Sequence, residues 1–134
     1  MTVIVCVDDQ MGMIFGGKRQ SRDRVMLADM AEQFGHVWIS PFSEKLLSQH
    51  GLSYTVSDAP LEMAGDSDAV FVENIDLLPY RDKISKIVLY HWGRRYLADE
   101  RLTLIPKAEG YRLVSTYKFQ GSSHEKIKRE IYER

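Results

Sequence analysis

Val3-Ile4-Val5-Cys6-Val7, followed at once by Asp8-Asp9-Gln10-Met11-Gly12-Met13, decides the fold of this chain. An unbroken apolar run rich in β-branched residues describes a strand buried on both faces, as in the middle of a parallel sheet. The run meets Asp8 and Asp9 before it reaches the length of a signal-peptide core. No apolar stretch approaches the roughly 18 residues of a membrane span. The expectation is a cytoplasmic protein with no membrane partner. Cys6, the single cysteine, has no partner for an internal disulfide and reads as a small core hydrophobe.

Outward from that strand, glycines and prolines cut the chain into short segments. Met11–Arg22 is expected to be a long flexible loop carrying Gly12, Gly16 and Gly17. From Asp23, the spacing of Met26, Leu27, Met30, Ala31 and Phe34 predicts an amphipathic helix stopped by Gly35. Further strands are predicted at His36–Ser40, Leu52–Val56, Ala69–Val72, Ile87–Tyr90, Leu102–Ile105 and Tyr111–Phe119. Short helices are predicted at Ser43–Gln49 and Ile75–Lys83. Residues 124–132 fit either a helix, with Ser122 and Glu125 as a capping box, or an alternating strand. Val3–Val7, Trp38, Val56, Phe71, Val88 and Leu104 are the expected core.

This order describes one α/β domain over residues 1–134. It is a three-layer sandwich with a mixed, twisted sheet of about seven or eight strands, parallel first and antiparallel last, and helices on both faces. A chain of 134 residues with 44% apolar and 28% charged side chains needs no metal or disulfide to fold. Its net charge of -1 gives no global attraction for nucleic acid or membrane. His36, His50, His91, His124 and Cys6 lack metal-ligand spacing, and no nucleophile elbow is present. A metal site and a Ser-His-Asp set are therefore not expected.

Several stretches resemble the dihydrofolate reductase-like family. Val7-Asp8-Asp9-Gln10-Met11-Gly12-Met13 is similar to its first strand running into a mobile substrate loop, and Asp23 falls where the family keeps an acid that contacts the pterin. Ile39-Ser40-Pro41-Phe42-Ser43 and Tyr54-Thr55-Val56-Ser57 are similar to strand ends that hold a cofactor's phosphate. Val70-Phe71-Val72, Asp76-Leu77-Leu78, Ile87-Val88-Leu89-Tyr90 and Tyr96 with Ala98–Leu104 continue the likeness. Tyr111–Phe119 and Ile127–Tyr132 would be the closing hairpin, which favours a strand for the last segment.

The departures bear on function. In the resemblance, the family's Gly-Gly corresponds to His91-Trp92, leaving only Gly93, and its phosphate-binding cation corresponds to Pro41. The tryptophan ahead of the first helix is replaced by Lys18-Arg19-Gln20-Ser21. The implied consequence is that the dinucleotide site is lost or altered. Trp92 as plain core packing remains the alternative.

Asp23 is the candidate catalytic acid, for which a pocket would have to raise its pKa, and helix capping is the other reading. Asp8 and Asp9 stand at a strand's carboxyl end, where α/β sheets place functional groups, or simply fill a turn. Lys18, Arg19, Arg22 and Arg24, with Arg94 and Arg95 after the fifth strand, form two basic clusters. If both reach the sheet's carboxyl edge, they make one anion-binding mouth. The candidate ligand residues are Asp8, Gly12, Arg19, Arg22, Ser43, Ser57, His91, Trp92, Gly93 and Arg94. The favoured function is binding of a small anionic, nucleotide-like or heterocyclic ligand, with the cofactor left open. The alternatives are an NADPH-dependent reductase of a pterin-like substrate and a nucleic-acid-binding or nuclease protein.

Overall fold

In the computed structural model, which describes residues 1–134, the opening run forms strand β1 (Thr2–Val7) at the centre of a seven-stranded sheet. The other elements follow in chain order as β2 (Gly12–Phe15), β3 (Lys18–Arg19), α1 (Arg24–Phe34), β4 (His36–Ile39), α2 (Pro41–Gln49) and β5 (Ser53–Val56). Next come α3 (Pro60–Met63), β6 (Ala69–Val72), a 3₁₀ turn (Leu78–Lys83), β7 (Lys86–His91) and β8 (Glu100–Arg101). A second 3₁₀ turn (Pro106–Glu109), β9 (Arg112–Phe119) and β10 (Ile127–Glu133) complete the chain.

The large sheet runs β5-β4-β6-β1-β7-β10-β9. Strands β5, β4, β6, β1 and β7 are parallel, whereas β10 lies antiparallel between β7 and β9. The fold is therefore the expected mixed α/β sandwich. Strand alternation splits the core into two layers. Val3, Val5 and Val7 face one layer with Leu61 and Ala64 around α3, Met13 and Ile14 of β2, and Leu102 and Leu104. Ile4 faces the other, against Met26, Leu27 and Met30 of α1 and Leu46 and Leu47 of α2.

Four expectations change. The segment 11–22 is a hairpin rather than a loop: Gly16 (φ 60°) and Gly17 (φ 74°) turn β2 into β3, and β8 pairs along the other side of β2. Two consecutive positive φ angles suit the two-residue hairpin turns for which Gly-Gly is favoured. Leu102–Ile105 is not a strand; only Glu100–Arg101 pairs, and Leu102 and Leu104 are buried in the core without a ladder. The predicted helix at 75–83 is reduced to the 3₁₀ turn beginning at Leu78. Trp38 and Val56 are only half-buried, because β5 is the sheet edge and β4 is next to it. The last segment is a strand, since β7 and β9 offer it backbone partners on both sides. No helix is long and apolar enough to cross a membrane.

Candidate functional site

The chain leaves β4 toward β5 on one side and leaves β6 toward β7 on the other. The carboxyl ends of the adjacent strands β4 and β6 thus bracket the kind of crevice in which open α/β sheets take ligands. In this chain a cluster of polar side chains fills it. Arg19 of β3 reaches Glu73, just past β6, with Nε to Oε2 at 2.7 Å and Nη2 to Oε1 at 2.9 Å. Ser43 of α2 donates to the same Glu73 Oε1 at 2.8 Å. The Arg19 guanidinium also lies 5.3 Å from the Phe42 ring centroid. A bidentate fork of this type fixes both partners, so Arg19 is committed to Glu73.

Outside this cluster opens a cavity of about 580 Å³ lined by Gly17, Lys18, Arg19, Ser21, Arg22, Phe42, Lys45 and Ser123. No carboxylate lies within 4.0 Å of the charged ends of Lys18, Arg22 or Lys45. Three uncompensated cations lining one cavity make a local positive field that the chain's near-zero net charge conceals.

Asp23, next in the chain to Arg22 of the cavity lining, is buried. It caps α1, accepting from the N–H groups of Val25 (2.9 Å) and Met26 (3.1 Å). The same carboxylate accepts from the N–H groups of Ser122 (3.0 Å) and Ser123 (2.8 Å), and from His124 Nδ1 at 3.0 Å. Gly121 lets this loop approach, because a Cβ there would collide with the Asp23 carboxylate. Burial alone would raise the Asp23 pKa. The His124 N–H, followed by the backbone N–H groups of Ser123, Ser122 and Met26, outweighs burial and holds the carboxyl far below the usual carboxylate range. A proton-donating acid needs the opposite shift. Asp23 was expected as a catalytic acid; here its oxygens accept five hydrogen bonds, and the shift is downward.

His124, 2% exposed, continues the chain of contacts. Its Nε2 is 2.9 Å from Ser21 Oγ and 2.9 Å from the Tyr96 hydroxyl. Trp92 stacks on the imidazole with ring centroids 4.6 Å apart and planes at 25°. The structure therefore assembles the Ser, His and Asp set that spacing gave no reason to expect. His124 is 101 residues from Asp23 and 103 from Ser21, so no local motif exists to reveal it. Glu73, Lys45 and Ser123 were likewise silent in the sequence.

The other candidates scatter. Asp8 is buried, and its carboxylate accepts from the N–H groups of Gln10, Gly12 and Tyr96 and from Gln20 Nε2. Burial raises its pKa but these bonds outweigh it, the net shift being downward. Asp8 thus staples the β1–β2 turn, and Gly12 supplies one of its donors. Ser57, past β5, accepts from the Ala59 N–H at 3.1 Å. His91 pairs with Glu130 through Nε2 at 2.5 Å, and burial holds its pKa low despite that carboxylate. Gly93 packs against the Lys126 carbonyl. Of the two basic clusters, Lys18, Arg19 and Arg22 line the cavity. Arg24 lines a separate pocket with Leu27 and His50, and the exposed Arg94 and Arg95 do not line the cavity. No group of three or more His, Cys, Asp or Glu side chains is placed to hold a metal ion.

No protein-family model matches this chain, and no curated protein matches it either. Solved structures do. A dihydrofolate reductase from Enterococcus faecalis, complexed with NADP(H) and RAB-propyl, superposes with a TM-score of 0.69. The match covers 99% of this chain and 95% of that one at 12% sequence identity. The fold is dihydrofolate reductase-like. At that identity the likeness concerns the backbone alone, and the dihydrofolate reductase-like scaffold carries its own side chains at the crevice and cavity.

Proposed function

We propose that the protein binds a small anionic ligand, of phosphate or carboxylate type, in the cavity between the β2–β3 hairpin and α2. The observation that carries this reading is the trio Lys18, Arg22 and Lys45, unpaired in the lining of a cavity of about 580 Å³. Phe42 offers a flat apolar face beside them, suited to a ring. Ligand sites commonly combine such an apolar surface with a few convergent polar groups.

A dinucleotide bound across the strand ends does not fit these residues. Glu73 and Ser43 occupy the crevice between β4 and β6, and the Glu73 side chain is only 8% exposed. A pyrophosphate placed there would meet a buried carboxylate whose cation is already taken. His91 and Trp92, at and just past the end of β7, are not part of this crevice. Ser57, His91 and Arg94 have no part in the proposed cavity.

The test is a thermal-shift and calorimetric panel of inorganic phosphate, mononucleotides, NADPH, dicarboxylates, folates and short oligonucleotides. A native-state ligand at 100 times its Kd raises stability by about 2.7 kcal/mol. A mononucleotide or dicarboxylate should bind, more weakly at high salt, and Arg22→Ala with Lys45→Ala should weaken it at least tenfold. Unchanged binding by the double variant overturns the reading. NADPH binding at micromolar Kd, retained after Arg22→Ala with Lys45→Ala, would restore a dinucleotide reductase.

A further inference from the structure

We infer that Ser21 is a nucleophilic hydroxyl, with His124 as its base and Asp23 holding the imidazole, and that it hydrolyses small esters bearing a negative charge. The choice of a charged ester rests on the anion cavity proposed above; the activated hydroxyl does not.

The geometry supplies each role. The Asp23 carboxylate can only accept, so the 3.0 Å contact assigns the imidazole proton to Nδ1 and leaves the Nε2 lone pair facing Ser21 Oγ at 2.9 Å. That order of carboxylate, imidazole and hydroxyl is what nucleophilic catalysis requires, and it is recognised by geometry rather than by position in the chain. Asp23 is fixed by four backbone N–H groups, and Trp92 covers one face of the ring. The imidazole is therefore held in one orientation. A tether between α1 and the 121–124 loop would need only the Asp23 contacts. It would not need a hydroxyl beyond Nε2 on the cavity wall, which is where Ser21 stands.

The reaction balances without a further reagent. Ser21 Oγ bonds to the ester carbonyl carbon as its proton passes to His124 Nε2. The bond from that carbon to the alcohol oxygen breaks, and the Nε2 proton goes to the departing alkoxide. Water then adds to the acylated Ser21, giving its proton to Nε2, and that proton returns to Ser21 Oγ as the acid is released. Ester and water become acid and alcohol, with no redox change. Lys18, Arg22 and Lys45 attract the substrate's charged group and favour negative charge developing at the carbonyl oxygen. The Tyr96 hydroxyl, 2.9 Å from the same Nε2 and 3.5 Å from Ser21 Oγ, contends for the lone pair in the absence of substrate.

The test treats the intact protein with an uncharged alkyl fluorophosphonate, which labels activated serines irrespective of anion recognition. Intact mass and peptide mapping should show one adduct, on Ser21, whose rate rises as a single group deprotonates. Ser21→Ala should abolish it, and His124→Gln should slow it at least 100-fold. The wild-type pH profile keeps the test valid if His124→Gln does not fold. Hydrolysis of p-nitrophenyl acetate is then compared with that of its succinate half-ester analogue. Labelling at Ser21 with a preference for the charged ester, lost in Arg22→Ala with Lys45→Ala, supports both readings. Labelling without charge preference sustains the nucleophile and overturns the anion cavity. A folded protein with no adduct on Ser21 overturns the nucleophile, whatever anions it binds.

Discussion

Helix α1 carries two carboxylates six residues apart, the buried Asp23 at its N-cap and the half-buried Asp29, and both fasten it to the carboxyl-terminal part of the sheet. They do so differently. Asp23 caps α1 through the Val25 and Met26 N–H groups and holds the β9–β10 loop through those of Ser122 and Ser123 and through His124, and its last contact opens through Ser21 onto a cavity. Asp29 accepts from Arg129 Nη1 of β10 at 2.5 and 2.6 Å and from the Tyr90 hydroxyl of β7 at 2.6 Å. Arg129 in turn lies 5.0 Å from the Tyr117 ring, and no hydroxyl in the cluster lines the cavity. Its Nε has no partner at all. Burial and Asp29 push the Tyr90 hydroxyl far above its usual range, so it stays protonated. A buried charge thus signals chemistry only when its network ends at a reactive group facing free space. By that criterion the Asp29 cluster is a clasp, and the Asp23 cluster is a clasp with a working end.

Asp23→Ala should be the most damaging single change. It removes a helix cap and strands the donors of Ser122, Ser123 and His124, at a cost of about 3–5 kcal/mol by urea unfolding. Asp29→Ala should cost less, about 2–3 kcal/mol, because it removes no helix cap and strands only Arg129 Nη1 and the Tyr90 hydroxyl. Adding Arg129→Met to Asp29→Ala should recover part of that loss, since no unpaired cation then remains. Equal losses at the two sites would erase the distinction.

The acid limb of stability sharpens it further. The folded-state pKa of Asp23 is depressed, so its contribution is present above the unfolded value near pH 4 and is lost as pH falls below that. Asp8 and Glu130 are shifted the same way. Thermal melts from pH 6 to pH 2 should therefore fall steeply, and Asp23→Asn should flatten part of the slope. The smallest effect belongs to Ser21→Ala, about 0.5–1.5 kcal/mol or less in unfolding. A larger loss would make Ser21 part of the clasp rather than its working end.

Much of the scaffold was legible because its signals are local. The β-branched Val3–Val7 run could only be an interior strand, and the three-and-four spacing after Asp23 could only bury one face of a helix. The capping of α1 by Asp23 was readable for the same reason, since the bond spans two or three residues. The β2–β3 hairpin is marked in the sequence by Gly16-Gly17 alone, because strands of four and two residues are too short to show a period. Residues 124–132 could not be settled by pattern, since Ile127 and Ile131 fit a helix and the alternation fits a strand; backbone partners on β7 and β9 make Ile127–Glu133 a strand.

The candidate site belongs to the tertiary structure alone. Ser21, Asp23 and His124 meet because β10 returns between β7 and β9 and swings its preceding loop over the start of α1. Glu73 enters the crevice because β6 inserts between β4 and β1. Neither juxtaposition leaves a trace in spacing, since hydrogen bonds and ion pairs act over a few ångströms whatever the separation along the chain. The sequence alone set which segments would be strands and which faces would be apolar, because those follow from the shape and solvation of single residues. Which polar groups would share a buried space was set only when the order of strands in the sheet brought distant residues within reach.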